Sequence, residues 1–353
     1  MYWNSSEDLR NELIVQAMRR DHFKEVCRCL HFEPNLVAPN DNEKFWKLRP
    51  MTDHLKANML KHFHPCQQLS FDESMIAYYG RYGCKQFLKG KPIRFGYKVW
   101  SLCTPSGYLV NFDIYQGRNP RSNTEYEQCF GKCAAPLINM INDFDENTRS
   151  LPFSFYFDNL FTSFPLLTYL KTMGYTGTGT VRENRIPSSC PLKTKVAMKK
   201  FNRGSFETAT IENIGIKLTK WVDNSVVCAA STCYGSSPIS SASRYCKKAG
   251  KKIAIPRPCV ITEYNKYMCG VDRLDQNVNI YRIAYRGKMW WSSIFTWLID
   301  VAVSNAWHLQ QSSKKLSQLE FRREIAVFYC KHYGEPPVQP RPKRPRLHDG
   351  VHI

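Results

Sequence analysis

The sequence predicts a mixed α/β fold in which helices cross a central sheet. Two observations carry this. After Pro65, short β-prone runs alternate with stretches of helical period, whereas the segments on either side of that part show helical periodicity alone.

Within residues 7–32, Leu9, Leu13, Ile14, Ala17, Met18, Phe23, Val26, Cys27 and Leu30 recur at helical spacing, with Asp21 as a cap between two helices. A Pro and Asn loop follows at 34–42, then a helical stretch at 44–62 interrupted at Pro50. Residues 69–72 form a short strand, and 98–103 pairs with 107–115 across the turn-forming Thr104, Pro105 and Ser106. A helix over 122–144 carries Tyr126, Cys129, Phe130, Cys133, Leu137, Ile138 and Ile141 on one face. Residues 153–157 are a buried strand ending at Asp158. The next helix starts at Ser163 and Pro165 and stops at Gly174, with proline in the first turn and glycine after the last. A strand at 175–182 follows. Three antiparallel strands, helix, strand, helix, strand is the order of a ribonuclease H-like sheet.

Further β-prone runs at 205–211, 216–222 and 226–232 indicate an inserted β-rich domain. A final helix beginning near Val271 places Asp272 and Asp275 on one face. Helices at 295–309 and 319–332 complete the chain. The expected organisation is a helical region 1–67, the first part of the ribonuclease H-like domain 68–183, the insertion 184–258, the final helix of that domain 259–281, a second helical part 282–333 and a basic, proline-rich tail 334–353.

Lys and Arg number 50 against 30 Asp and Glu, a net charge of +20, which implies a polyanionic, salt-sensitive partner such as nucleic acid. The 14 cysteines are scattered with no C-x-x-C pair, consistent with reduced intracellular thiols. The most apolar stretch, 290–309, is interrupted by Ser292, Ser293, Asp300, Ser304, Asn305 and His308 and reads as a buried helix, so no membrane partner is expected.

Against this basic background four acids stand out: Asp72 in LSFDE, Asp158 in FSFYFDNLF, and Asp272 with Asp275 in GVDRLDQ. Gathered together they would repel unless a cation joined them, and Mg²⁺ takes carboxylate oxygens while keeping positions open for phosphate. Taken singly, Asp158 fits a helix cap, and Asp272 and Asp275 fit first-turn acids. Between the first two strands, Arg81, Lys85, Lys91, Arg94 and Lys98 interleave with Tyr79, Tyr82, Phe87, Phe95 and Tyr97, either a solvated face or a DNA-backbone contact, and Arg182 has similar standing. His22, Cys27, Cys29 and His31 lack zinc-site spacing, and no dinucleotide or Walker-type glycine motif occurs. RPKRPR at 341–346 reads as a nuclear localisation tail.

The ordered words LSFDE, KPIRFGYKVW with GYLVNFDIYQG, FDNLFTSFPLL, GTVRENRIP and YNKYMCGVDRLDQ, with MYW, LHFEPN and FWKLRP before them and Trp290-Trp291 after, resemble those of piggyBac transposases and their domesticated derivatives, from residue 1 to about 333. With these words in order, the four acids read jointly as a metal site. The resemblance implies a DDD site: Asp72 bridging two Mg²⁺ ions, with Mn²⁺ as a substitute, Asp158 on one ion, Asp272 on the other, and Asp275 as an auxiliary ligand or orienter. It implies nicking by water, hairpin formation by the freed 3′ hydroxyl, hairpin opening and insertion at TTAA. The implied partners are double-stranded DNA bearing transposon ends and a second copy of the chain. The family's longer N-terminal segment and C-terminal cysteine-rich zinc module have no counterpart here, which implies a truncated or domesticated copy, or end recognition shared with another chain. The other function left open is a non-catalytic chromosomal DNA-binding protein derived from a transposase.

Overall fold

The computed structural model describes residues 2–4, 6–33, 43–117, 122–212, 214–247, 250–285, 287, 289–310 and 315–335. The basic run 341–346 and the loop 34–42 lie outside them. The helices are α1 (Glu12–Ala17), α2 (Arg20–Cys29), α3 (Arg49–Lys61), α4 (Thr124–Phe130), α5 (Ala135–Asn142), α6 (Glu146–Arg149), α7 (Phe164–Thr172), α8 (Lys195–Met198), α9 (Cys259–Tyr267), α10 (Gly270–Ile280), α11 (Ser292–Gln310) and α12 (Gln318–Tyr333). The strands are β1 (Gln68–Ala77), β2 (Gln86–Phe87), β3 (Phe95–Cys103), β4 (Leu109–Ile114), β5 (Ser154–Phe157), β6 (Thr176–Thr180), β7 (Phe206–Ile211), β8 (Ile216–Val222), β9 (Val226–Ser231), β10 (Ser240–Cys246) and β11 (Lys251–Arg257).

Two compact units divide the chain: Met1–His31 with Gln311–Ile353, and Phe32–Gln310. In the first, α1 packs on α12, Glu335 N donates to Ala17 O (2.9 Å), and Trp3 stacks on Phe23 while donating its indole N–H to Met18 O (2.7 Å). A reciprocal Ser317 and Glu320 capping box starts α12. Asp21 sits in the first turn of α2, whose N-cap is Arg19, so it complements the helix dipole instead of capping.

The larger unit holds a mixed sheet ordered β2-β3-β1-β5-β6-β9-β8-β7, with β4 also on β3. β1, β5 and β6 are parallel, and the remaining pairings are antiparallel. This is the ribonuclease H-like arrangement. Leu69, Phe71, Trp100 and Leu102 meet Leu137, Ile138 and Ile141 of α5 and Leu166, Leu167 and Leu170 of α7 in one core. α10 and α11 pack against β1 as well, and Asn305 of α11 brackets Leu109, accepting from its N–H (2.9 Å) and donating to its carbonyl (2.8 Å). Helices thus cover the sheet on both sides, which is why its central strands are largely buried on both faces.

Three features differ from the sequence expectation. The helix over 122–144 is two helices, because Gly131 leaves α4 at φ +88°, a conformation that side chains with a Cβ rarely adopt. β7, β8 and β9 continue the main sheet through β6, and only β10 and β11 form a separate ribbon. The segment ahead of Asp272 holds its own helix, α9. Among the described residues, no helix is long and apolar enough to cross a membrane.

Candidate active site

Parallel pairing brings Asp72 and Asp158 side by side. Phe71 of β1 is in register with Phe157 of β5, so the next residue on each strand is an aspartate. Adjacent strands lie about 4.8 Å apart, so the two carboxylates leave neighbouring backbones, Asp72 from the middle of β1 and Asp158 from just past the end of β5. Beneath them Phe161 packs edge-on to Phe71 (4.8 Å between centroids) and Trp100 (5.5 Å), ring contacts that fix these backbones. Asp158 is not a cap of α7, a role taken by Ser163. Its Oδ1 accepts from Leu160 N (2.6 Å) and its carbonyl from Thr162 Oγ1 (2.7 Å), closing the turn after β5. Arg185 donates to the carbonyls of Asn159 (3.1 Å), Leu160 (3.1 Å) and Thr162 (2.6 Å), which fastens the same turn from outside.

α10 brings the other two acids. Val271, Leu274 and Val278 are buried at helical spacing, which leaves Asp272 exposed and Asp275 half-buried. Close approach is possible because the contact residues are small: Gly270 lies over Ser70 and the Thr104 carbonyl, and Gly107, at φ +98°, turns the β3–β4 hairpin under the Arg273–Leu274 backbone. Arg273 donates to Pro105 O (2.6 Å). Ser74, two residues from Asp72 and on the same face of β1, pulls the Asp275 carboxyl down against burial.

Burial, then the charge of Glu73 and its hydrogen bond, pushes Asp72 up to about 8. Burial pushes Asp275 up to about 6 against the pull of Ser74 and Lys91, and also raises Asp158. The Tyr264 hydroxyl of α9 is within electrostatic reach of Asp158, Asp72 and Asp272. A cavity of about 260 Å³, lined by Lys91, Pro92, Asp272, Asp275, Gln276 and Asn279 among others, opens beside the acids.

Among the described residues no three His, Cys, Asp or Glu side chains close on one point as a ready metal site. The donor chemistry nevertheless fits a hard divalent cation. The candidate ligands are all carboxylates, burial holds three of the four aspartates above their ordinary range, and the buried Oε2 of Glu73 has no hydrogen-bond partner. A cation would relieve each of these costs.

The six basic candidates separate. Arg81, Arg94 and Arg182 are exposed, and Arg182 Nε donates to Asn159 Oδ1 (2.9 Å) beside Asp158. Lys85 donates to Gly80 O (2.9 Å), Lys98 sits 3.8 Å over the Trp100 ring, and Lys91 pairs with Glu73 (3.5 Å). Glu73, Ser74, Tyr264 and Arg185 were missed by sequence reasoning. Only adjacency to Asp72 could have flagged Glu73 and Ser74, and no spacing marks the other two.

A family model described as "Transposase IS4" matches residues 1–307, and the chain belongs to that transposase family. Within it the similar relatives are piggyBac-derived. The chain is 41% identical over 352 residues to the human PiggyBac transposable element-derived protein 3, covering 98% of this chain and 58% of that protein. Human PiggyBac transposable element-derived protein 2 is 35% identical over 347 residues, with the same 98% and 58% coverage, so the chain spans little more than half the length of these relatives. A cryo-EM structure of a piggyBac transposase synaptic complex with hairpin DNA aligns at TM-score 0.69 and 22% identity, over 91% of this chain and 65% of that one, a likeness of fold.

Proposed function

We propose that the chain acts on double-stranded DNA as a metal-dependent nuclease and strand transferase of the piggyBac kind, or as a truncated or domesticated copy that keeps that site. The observation that carries this is the convergence on one face of β1: Asp72 next to Asp158, which follows the neighbouring parallel strand β5, and α10 seated on Ser70 with Asp272 and Asp275 on it. Asp72, Asp158 and Asp272 would hold the metal, Mg²⁺ or Mn²⁺, with Asp275 as auxiliary ligand or orienter. Two such ions stabilise the entering and leaving oxygens of an in-line phosphoryl displacement.

The chain's own residues orient the rest. Gly270, seated on Ser70 and the Thr104 carbonyl, sets where α10 and its Asp275 lie, while Arg185 and Thr162 keep Asp158 from swinging away with its turn. Arg182 beside that turn, with Arg81 on the loop after β1 and Arg94 in the β2–β3 hairpin, offers positive charge to the phosphate backbone. The substrates in this reading are transposon ends and a TTAA target, cut, closed into hairpins and joined. The helical parts 1–67 and 282–333 serve dimerisation and DNA binding, 68–183 with 259–281 serve catalysis around the insertion 184–258, and the 341–346 run directs the protein to the nucleus.

The test is incubation of the chain with duplexes whose inverted-repeat ends abut TTAA, with Mg²⁺, Mn²⁺ or EDTA. Nicked and hairpin products that need the metal and vanish in Asp72→Ala and Asp158→Ala are expected. Cleavage indifferent to Asp72→Ala would reject the site, and DNA binding without any cleavage would leave the non-catalytic reading in its place.

A further inference from the structure

We infer that Lys91 is a tethered counter-ion of the carboxylate cluster, its positive charge opposing entry of the divalent cation. This inference rests on the metal-dependent reading above.

The Lys91 ammonium stands 3.5 Å from Glu73 Oε1 and 3.4 Å from Glu73 O. It lines the cavity with Asp272 and Asp275, and its charge is felt by Asp72, Glu73, Asp272 and Asp275, so one cation serves acids from both β1 and α10. The loop that carries it is built to hold it there. Leu88 N donates to Arg94 O (2.9 Å), closing the hairpin between β2 and β3, while Gly90 at φ +96° makes the bend and Pro92 stiffens the residue after the lysine.

Two other cations lie within reach of these acids, and each has another engagement. Lys98 sits over Trp100 at 3.8 Å, and Arg282 is within reach of Asp300 as well as Asp275. Glu73 is 12% exposed and Lys91 34%, so the lysine reaches an inner carboxylate from the cleft side and has an outward path. An ammonium is a compact point charge on a flexible stem, and swinging it out costs only its own contacts. A divalent ion entering among the acids must displace it or bear its repulsion. The basal charge of the cluster is thereby kept low when metal is scarce.

The experiment uses the full chain without DNA. Mn²⁺ affinity is read by electron paramagnetic resonance of the free ion, and thermal unfolding is recorded in EDTA and in Mn²⁺. Lys91→Met keeps the stem and removes the charge, and is expected to bind Mn²⁺ about tenfold more tightly, the order expected for loss of one positive charge about 6 Å from a divalent ion at a dielectric near that of water. Its Tm in EDTA is expected to fall and its Mn²⁺-induced rise to exceed that of the wild type. Lys91→Arg, which restores the charge, is expected to return both readouts toward wild type. Mn²⁺ binding that Asp72→Asn abolishes but Lys91→Met leaves unchanged or weaker would overturn the inference alone. Binding that Asp72→Asn does not weaken would remove the metal reading itself, and absence of Mn²⁺ binding in both wild type and Lys91→Met would remove both.

Discussion

Gly270 and Ser70 face each other too closely for a methyl group between them: a Cβ on Gly270 would stand 2.3 Å from Ser70 Oγ and 2.4 Å from Thr104 O. The start of α10 is thus seated directly on β1 and the β3–β4 turn, and everything downstream on α10, including Asp272 and Asp275, inherits that seat. Gly270→Ala is expected to push the helix outward and cost about 1–3 kcal/mol, the usual range for overpacking. Denaturant unfolding measures the loss. Metal-dependent cleavage is expected to fall further than stability alone explains, because Asp272 and Asp275 would move away from β1 with the helix. An alanine variant with wild-type stability would show that α10 is not held where Gly270 puts it.

Asp72 and Asp275 make the metal-free protein sensitive to pH. Burial raises both, Asp72 to about 8 and Asp275 to about 6. Each therefore binds its proton more tightly in the folded chain than in the unfolded one, where a carboxyl titrates near about 4. Between about pH 4 and 8 the folded state holds the extra protons, so stability is highest at the acid end and declines as pH rises through the folded values. Urea denaturation in EDTA across this window is expected to show that decline. Asp72→Asn is expected to flatten it across the whole window and to abolish it between about pH 6 and 8, and Asp275→Asn to flatten it only between about pH 4 and 6. A slope that survives both substitutions would place its origin elsewhere.

Much of this site was legible before folding because it is written in local words. Ser163, Pro165 and Gly174 fix the ends of α7, and LSFDE and FYFDN put an acid within β1 and another just past β5. What sequence could not supply was side-chain partnership between distant segments. Lys91 looked like its basic neighbours on the loop, yet only the folded hairpin sets it against Glu73. Likewise the runs at 206–231 have the same β propensity whether they form a separate domain or extend a sheet. That choice is made by the β6–β9 pairing of Thr178 with Ser231, across more than fifty residues of chain. Gly131 was visible within its helical pattern, but periodicity on both sides concealed the break.

Arg185 was not singled out by sequence, although it holds three carbonyls of the turn that follows Asp158. Arg185→Ala is expected to cost about 1–3 kcal/mol, since charged hydrogen bonds to buried carbonyls are lost together. Amide hydrogen exchange at Leu160 and Thr162 is expected to quicken before the rest of β5 does. Arg185→Lys should recover only part of the protection, because an ammonium lacks the guanidinium's planar fork. Equal exchange in wild type and Arg185→Ala would mean the turn is held by Asp158 and Thr162 alone.

Arg182 and Lys98, paired in the sequence reading as DNA contacts, have different surroundings and should behave differently. Arg182 is exposed with its Nε on Asn159, whereas Lys98 is half-buried over Trp100 and its ammonium is held below the ordinary lysine range by burial. For Arg182→Ala we expect weaker binding to duplex DNA of any sequence, with the slope of log affinity against log salt reduced by about 1, the signature of one lost phosphate contact. Thermal stability should be nearly unchanged. For Lys98→Ala we expect the reverse: an unaltered salt slope and a lower Tm, because the loss is a cation resting on an aromatic ring, worth about 0.5–2 kcal/mol. Fluorescence anisotropy over a salt series, run beside thermal unfolding on both variants, separates the two. Should Lys98→Ala reduce the salt slope as Arg182→Ala does, the ammonium must leave Trp100 when DNA binds, and the strand that carries it would then belong to the DNA-binding surface.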